Sequence, residues 1–361
     1  MRRASEPEGR DWLLRRGAVP WLRLISFAIW MLFATSSAAA ETKRVLMLFS
    51  NESLLPAGVA LGTSIQSSLT AGDPDRVEIF TETLDADRFP GPAHEARMES
   101  LLRDKYASIP LDLAIAIGPQ ALDFLIQRRT SLFAGIPLIF AGISESSLQR
   151  LSLPPDTTGI ASRFDPVQTL ELALRLQPDA RQVVVVTGAG AFDKRWEAAA
   201  REQLRPYADR LQVTYLSGLP LPQLLQELTR LPQRAIVIYL TIFEDGTGER
   251  FVPRNLAPRI SDAATAPVYG VYETYLGQGI VGGYMDSFGA IGEATARIGL
   301  RILAGESPEG LPPEEIQTQA FMVDWRQLRR WRLDEARLPP GTIVRFEQSS
   351  YGSGTASRFS P

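Results

Sequence analysis

Beyond residue 43, short aliphatic runs alternate with longer stretches in which apolar and polar residues repeat at helical spacing. Near-continuous runs of Val, Ile, Leu and Phe between helices are typical of parallel strands that are covered on both faces. The first set of predicted strands comprises Arg44–Ser50, Asp75–Asp85, Leu111–Gly118 and Ile136–Ile143, and the helices between them span residues 56–69, 93–106 and 119–129.

The same alternation restarts after a predicted loop over residues 152–166. The second set comprises helices over 167–176, 192–207 and 221–229 and strands over 182–189, 212–218, 235–241 and 266–272. Two such sets predict an α/β fold of two doubly wound, Rossmann-like lobes joined by a hinge. Ligands of such sheets bind outside the carboxyl ends of the strands, so we expect a site in the cleft between the lobes.

The pattern of the C-terminal third predicts that the chain returns to the first lobe and then passes again to the second. Residues 289–305 form an amphipathic helix, and residues 320–331 a short strand followed by a helix. We therefore expect a first lobe of residues 44–145 plus about 283–318, and a second lobe of 158–282 plus about 319–346. The Ser/Gly-rich residues 347–361 predict a disordered tail.

The first forty residues predict export. Six arginines precede the apolar run Leu24–Ala34, and Ala38 and Ala40 supply the small residues of a cleavage site. This order is typical of a secretory signal peptide, and a run of eleven residues falls short of the roughly 20 that span a membrane. We expect cleavage near Ala40, a periplasmic location, and no membrane span in the mature protein.

Composition narrows the classes of function. The formal charge of −3 becomes −6 without residues 1–40, which carry six Arg against three acidic residues, and a mildly acidic surface argues against a nucleic-acid partner. The chain has no Cys and one His, which leaves little for a zinc site, thiolate chemistry or a Ser-His-Asp triad. The sequence therefore predicts no metal, no cofactor and no catalytic residues.

The stretch VYETYLGQGIVGGYMDSFG contains G-x-G-x-x-G at Gly277, Gly279 and Gly282. A dinucleotide fingerprint follows a strand and opens a helix, whereas these glycines precede a strand, so a glycine-rich turn is favoured. Glu273 and Asp286 flank the motif. Three interpretations stay open for them: ordinary surface carboxylates, ligand contacts in the cleft, or the acid/base pair of a hydrolase.

Small, polar and aromatic residues follow several predicted strands. Such groups at helix N-termini suit a polar or zwitterionic small ligand, because backbone N–H groups bind its negative end and carboxylates and aromatic faces its positive end. With Glu273 and Asp286, the candidate ligand contacts are Ser50, Asn51, Gly118, Gln120, Ser144, Asp193, Trp196, Thr241, Glu244 and Tyr272.

The chain from Arg44 to Phe346 resembles the type I periplasmic binding proteins. The resemblance is carried by VLMLFSNESLLPA, IGPQALDFL, PLIFAGIS, VVVVTGAGAFDKRWE, GYMDSFGAIGEATARIGLRILAG and VDWRQLRRWRLDEARLPPGTIVRF. It is similar to the ABC-transporter substrate-binding proteins related to tryptophan and tyrosine binders, and most of all to periplasmic sensor regions of bacterial histidine kinases.

The resemblance implies a non-enzymatic binding protein that closes about a hinge on a small polar or amino-acid-like ligand. Its implied partner is the permease of an ABC transporter. The alternative is a detached sensing domain that acts with a membrane histidine kinase. The chain departs from the family in having Ser144-Glu145-Ser146 where amino-acid binders often have Ser-Asp-Pro.

Overall fold

The computed structural model describes residues 42–51, 55–71, 76–163, 165–232, 234–311 and 318–347. The predicted export signal and the tail beyond residue 347 lie outside these ranges. Within them, no helix is both long and apolar enough to cross a membrane.

Five parallel strands form the sheet of the first lobe, in the order β2-β1-β3-β4-β5. They are β1 (Lys43–Phe49), β2 (Val77–Thr83), β3 (Leu113–Ile117), β4 (Leu138–Ser144) and β5 (Thr157–Ser162). The helices of this part are α1 (Pro56–Thr70), α2 (Pro92–Tyr106), α3 (Pro119–Gln127), α4 (Arg129–Leu132) and α5 (Glu145–Leu148). Alternate residues of β1 belong to different hydrophobic clusters, with Val45 facing α1 and Leu46 facing α2 and α3, because helices cover both faces of the sheet.

Four parallel strands form the sheet of the second lobe, in the order β7-β6-β8-β9. They are β6 (Gln182–Thr187), β7 (Gln212–Ser217), β8 (Ala235–Tyr239) and β9 (Val268–Gly270). Helices α6 (Pro166–Leu176) and α7 (Ala191–Leu204) cover one face, and α8 (Leu221–Leu228) and α9 (Pro253–Ala263) cover the other. The second lobe is therefore doubly wound like the first.

A small third sheet adjoins β9 and carries the chain between the lobes. Strands β10 (Gly282–Asp286) and β11 (Gln319–Asp324) are antiparallel, and β12 (Ile343–Arg345) lies parallel to β11. After β10, helix α10 (Phe288–Leu303) returns to the first lobe and packs against α1, while α11 (Trp325–Trp331) packs on the second. The chain thus passes between the lobes three times: after β5, after β10 and after residue 311.

The structure moves two lobe boundaries from their predicted positions and contains elements that were not predicted, among them β5 and α9. Strand β5 lies within the predicted loop and pairs with β4, so the first sheet extends to residue 162, beyond the predicted start of the second lobe at 158. Strand β10, which the predicted division at 283 would split, pairs with β11 over its whole length. Helix α9 was not predicted. The turn prediction is confirmed, since Gly277 and Gly279 have φ of +84° and +95° ahead of β10.

Candidate functional site

Two adjoining cavities lie between the lobes. The inner cavity has a volume of about 480 Å³ and the outer cavity about 510 Å³, both within the roughly 300–1,000 Å³ typical of small-molecule sites. The two cavities share five lining residues: Leu55, Phe192, Arg195, Phe243 and Val252. They are therefore compartments of one cleft, divided mainly by apolar side chains.

Aromatic rings form a connected wall along the inner cavity. The Phe192 ring lies 5.1 Å from that of Phe243 and 5.7 Å from that of Trp196, centroid to centroid. Trp196 contacts Tyr272 at 6.2 Å, and Tyr272 stacks on Phe288 at 6.1 Å. Since Phe288 begins the helix that returns to the first lobe, the wall crosses from one lobe to the other. Such a surface can hold an apolar or planar group by ring stacking.

Asp286 lies at the end of β10 and lines the inner cavity with only 7% of its surface exposed. Thr318 Oγ1 donates to Asp286 Oδ1 at 3.1 Å, and no basic group of the described residues pairs with the carboxylate. Burial raises the pKa of Asp286 to about 7, against the hydrogen bonds from Thr318 and Gln319 that lower it. A cationic ligand group would supply the missing partner.

Arg254 supplies positive charge to the same cavity, from the first turn of α9. Its Nε donates to the carbonyl oxygen of Thr274 at 3.1 Å, which fixes the guanidinium plane, and no carboxylate of the described residues forms an ion pair with it. The free edge of a fixed guanidinium is suited to a carboxylate. Arg150 and Arg195 also line the inner cavity.

Basic groups outnumber acidic ones in the inner cavity. Three arginines face Glu202 and Asp286, and the pKa of Asp286 near 7 leaves that carboxyl only partly ionised at neutral pH. The balance favours a ligand with at least one carboxylate. Tyr272 also remains a neutral hydroxyl donor, because burial and the nearby Asp286 raise its pKa well above the ordinary value.

Asp193, predicted as a ligand contact, is instead fully buried and lines neither cavity. Its carboxylate accepts hydrogen bonds from Thr241 Oγ1 at 2.5 Å and from the backbone N–H groups of Gly190, Phe243 and Glu244 at 3.0–3.3 Å. Desolvation raises the pKa of Asp193, while these hydrogen bonds lower it. Asp193 therefore joins the start of α7 to the segment after β8, and so positions Phe243.

The other predicted contacts divide between the cleft and the sheet edge. The inner cavity is lined by Ser144, Trp196, Thr241, Tyr272 and Asp286, and the outer by Asn51 and Glu244. Ser50, Gly118, Gln120 and Glu273 line neither cavity. Ser50 Oγ accepts from the backbone N–H of Ala121 at 2.9 Å, which makes it part of the start of α3.

Several lining residues of the inner cavity were not predicted from the sequence, above all Arg254, Arg195 and Phe288. Arg195 and Phe288 lie close in sequence to Trp196 and Asp286, so a wider window around each strand end would have included them. Arg254 lies in α9, and its position in the cavity depends on the packing of α9 rather than on any strand end. Among the described residues, no group of three or more His, Asp or Glu side chains is placed to hold a metal ion.

No protein-family model matches the chain, and no curated protein matches it. Solved structures do match, over 84% of this chain. A conserved domain protein from Vibrio cholerae (16% identity, 100% of its chain) superposes with a TM-score of 0.60, and the ABC domain in complex with L-Trp from Streptococcus pneumoniae (15%, 100%) with 0.61. A ligand-free, open substrate-binding protein with adhesive properties from Clostridium difficile (18%, 99%) gives 0.63.

The chain has the type I periplasmic binding protein fold. The resemblance seen in the sequence is thus confirmed at the level of the fold, with two lobes and three connections between them. At these identities the likeness extends to the fold alone, so the ligand has to be argued from the cavity.

Proposed function

We propose that this chain is an exported solute-binding protein that holds a small, amino-acid-like ligand in the inner cavity. The observation that carries the proposal is the joint presence of a buried carboxylate without a cation, a fixed guanidinium without an anion, and a ring wall between two lobes. These groups complement an ammonium, a carboxylate and an apolar side chain respectively. An α-amino acid carries all three on one carbon.

The comparisons support a binding role. One superposed structure is described as a complex with L-Trp and another as a substrate-binding protein. The arginine-rich start and the apolar run of residues 24–34 support export to the periplasm. A membrane permease is the partner we propose, and a membrane sensor kinase is the alternative.

The hydrolase alternative has less support. Its two carboxylates were Glu273 and Asp286, and only Asp286 lines the inner cavity. Glu273 instead begins a short 3-10 helix, Glu273–Tyr275, which follows β9 and Tyr272 in the chain. Acid/base catalysis requires both groups within reach of one substrate.

Thermal melting tests the proposal, using the protein against amino acids, sugars, purines and short peptides. An amino acid at one hundred times its Kd should add about 2.7 kcal/mol to the free energy of unfolding. Arg254→Gln should weaken binding of the amino acid more than binding of its amide, whereas Asp286→Asn should weaken binding of the amino acid more than of its deaminated acid. Stabilisation by sugars or purines alone, or by no compound at all, would reject the proposal.

A further inference from the structure

The outer cavity is bounded by both lobes rather than being a notch in one of them. Its first-lobe side includes Asp85 and Asp87 from the segment after β2, and its second-lobe side includes Glu244 and Arg250. Arg250 Nη2 donates to the carbonyl oxygen of Asp87 at 3.1 Å and so joins the two sides. A free amino acid in the inner cavity would leave this compartment without a ligand group.

Charges within the outer cavity are mostly paired with one another. Arg88 lies 3.5 Å from Asp85, and Arg250 lies 4.0 Å from Glu244, nitrogen to oxygen. Arg195 is different. Its guanidinium lies 5.5 Å from the ring centroid of Phe192 and forms no ion pair with any described residue.

Arg195 also stands where the two compartments meet, because it lines both cavities beside Phe192 and Phe243. An arginine that rests on a ring face keeps its N–H edge available for a carboxylate. A group bound there would belong to a ligand that reaches out of the inner cavity. Arg195 can therefore bind a second anionic group of the ligand, in addition to one at Arg254.

The termini of a dipeptide lie about 7 Å apart, at 3.3–3.6 Å per extended residue, whereas the two charges of an amino acid share one carbon. Asp286 can pair with the ammonium of the first peptide residue while the side chain of that peptide residue lies against the ring wall. The fixed N–H edge of Arg254 can then donate to the peptide carbonyl oxygen. In this arrangement the carboxylate of the second residue would lie towards Arg195, which lines both compartments.

We propose that the cleft is built for short peptides, with the N-terminal residue in the inner cavity and the carboxylate at Arg195. This inference rests on the proposed binding function and specifies its class of ligand. Two observations support it. A second compartment lies between the lobes, and at its entrance stands an arginine that forms no ion pair with any carboxylate of the described residues.

The test is calorimetric titration with L-phenylalanine, the dipeptides Phe-Gly and Gly-Phe, and the C-terminal amide of Phe-Gly. Phe-Gly should bind about tenfold more tightly than its own amide, since a charge-assisted hydrogen bond is worth roughly that factor. It should also bind more tightly than phenylalanine, whose carboxylate does not extend to Arg195, and more tightly than Gly-Phe, whose first residue places no ring against the wall. Arg195→Gln should abolish the difference between Phe-Gly and its amide. Arg97→Gln, at an exposed position of α2 that lines neither cavity, is the matched control and should leave the difference unchanged.

The outcomes separate the two proposals. Equal or tighter binding of phenylalanine than of Phe-Gly would overturn the peptide inference and leave an amino-acid binder. Equal binding of Phe-Gly and its amide, or an amide difference that persists in Arg195→Gln, would also overturn it. Melting of the Arg195→Gln protein at the wild-type temperature shows that any loss of binding does not come from unfolding.

Discussion

Replacing Asp286 by asparagine should change how the stability of the protein depends on pH. In the folded protein the carboxyl is 7% exposed, and burial raises its pKa from 3.8 to about 7. In the unfolded chain it returns to its ordinary value. Between pH 4 and pH 7 the folded state therefore holds a proton that the unfolded state has released.

The sign follows from this difference in bound protons. Because the pKa is raised on folding, the contribution of this carboxyl to the free energy of unfolding is fully present below about pH 4. That contribution is lost as the pH rises towards 7. Each pH unit lowers the free energy of unfolding by about 1.4 kcal/mol, so three units correspond to about 4 kcal/mol. The asparagine side chain of the variant would not titrate, and its amide oxygen still accepts the Thr318 hydrogen bond.

Urea unfolding of both proteins at about pH 4.5, 5.5, 6.5 and 7.5 measures the effect. All other titrating groups are shared, so the difference in free energy of unfolding between Asp286→Asn and wild type should increase by about 3 kcal/mol from the lowest to the highest of these pH values. A difference that stays constant across the four pH values would refute the raised pKa, and with it the description of Asp286 as a buried carboxylate without a cation.

Three further substitutions test the cleft and its support. Gly283→Ala should cost about 3 kcal/mol of unfolding free energy in urea, because its Cβ would lie 1.9 Å from the Gly270 carbonyl oxygen, whereas Gly310→Ala, with open space around it, should change stability by less than about 0.5 kcal/mol. Asp193→Ala should cost about 3 kcal/mol by leaving its buried donors without an acceptor, and Asp193→Asn should cost less. Trp196→Ala should weaken ligand binding about tenfold in titrations, and Trp196→Phe less. Equal effects within any of these pairs would contradict the corresponding contact.

The central strands were predictable because their burial leaves a plain signal. Strands β1, β3, β6 and β8 are aliphatic runs covered on both faces, and the structure places them where the sequence did. Strand β5 was not predicted because Thr157–Ser162 contains only one large aliphatic residue and lies at the edge of the sheet. Helix α9 was not predicted because Pro258 lies within it, and an internal proline normally argues against a helix.

The candidate site was predictable only in part. The rule that ligands bind at the carboxyl ends of strands directed attention to Ser144, Thr241 and Asp286, all of which line the inner cavity. The rule does not distinguish a carboxylate that faces the cleft from one that turns inward to backbone amides, as Asp193 does. Nor does it include Arg254, whose place in the cavity depends on helix packing.

The proposed function requires a small zwitterionic ligand to bind in the inner cavity. Ala198 lies on the exposed face of α7 and lines this cavity, while Ala96 is exposed on α2 and lines neither cavity. The decisive measurement is calorimetric titration of the most stabilising compound from the melting panel into Ala198→Trp and Ala96→Trp. We expect binding to be lost in Ala198→Trp and retained in Ala96→Trp. Undiminished binding to Ala198→Trp would refute a ligand site in the inner cavity.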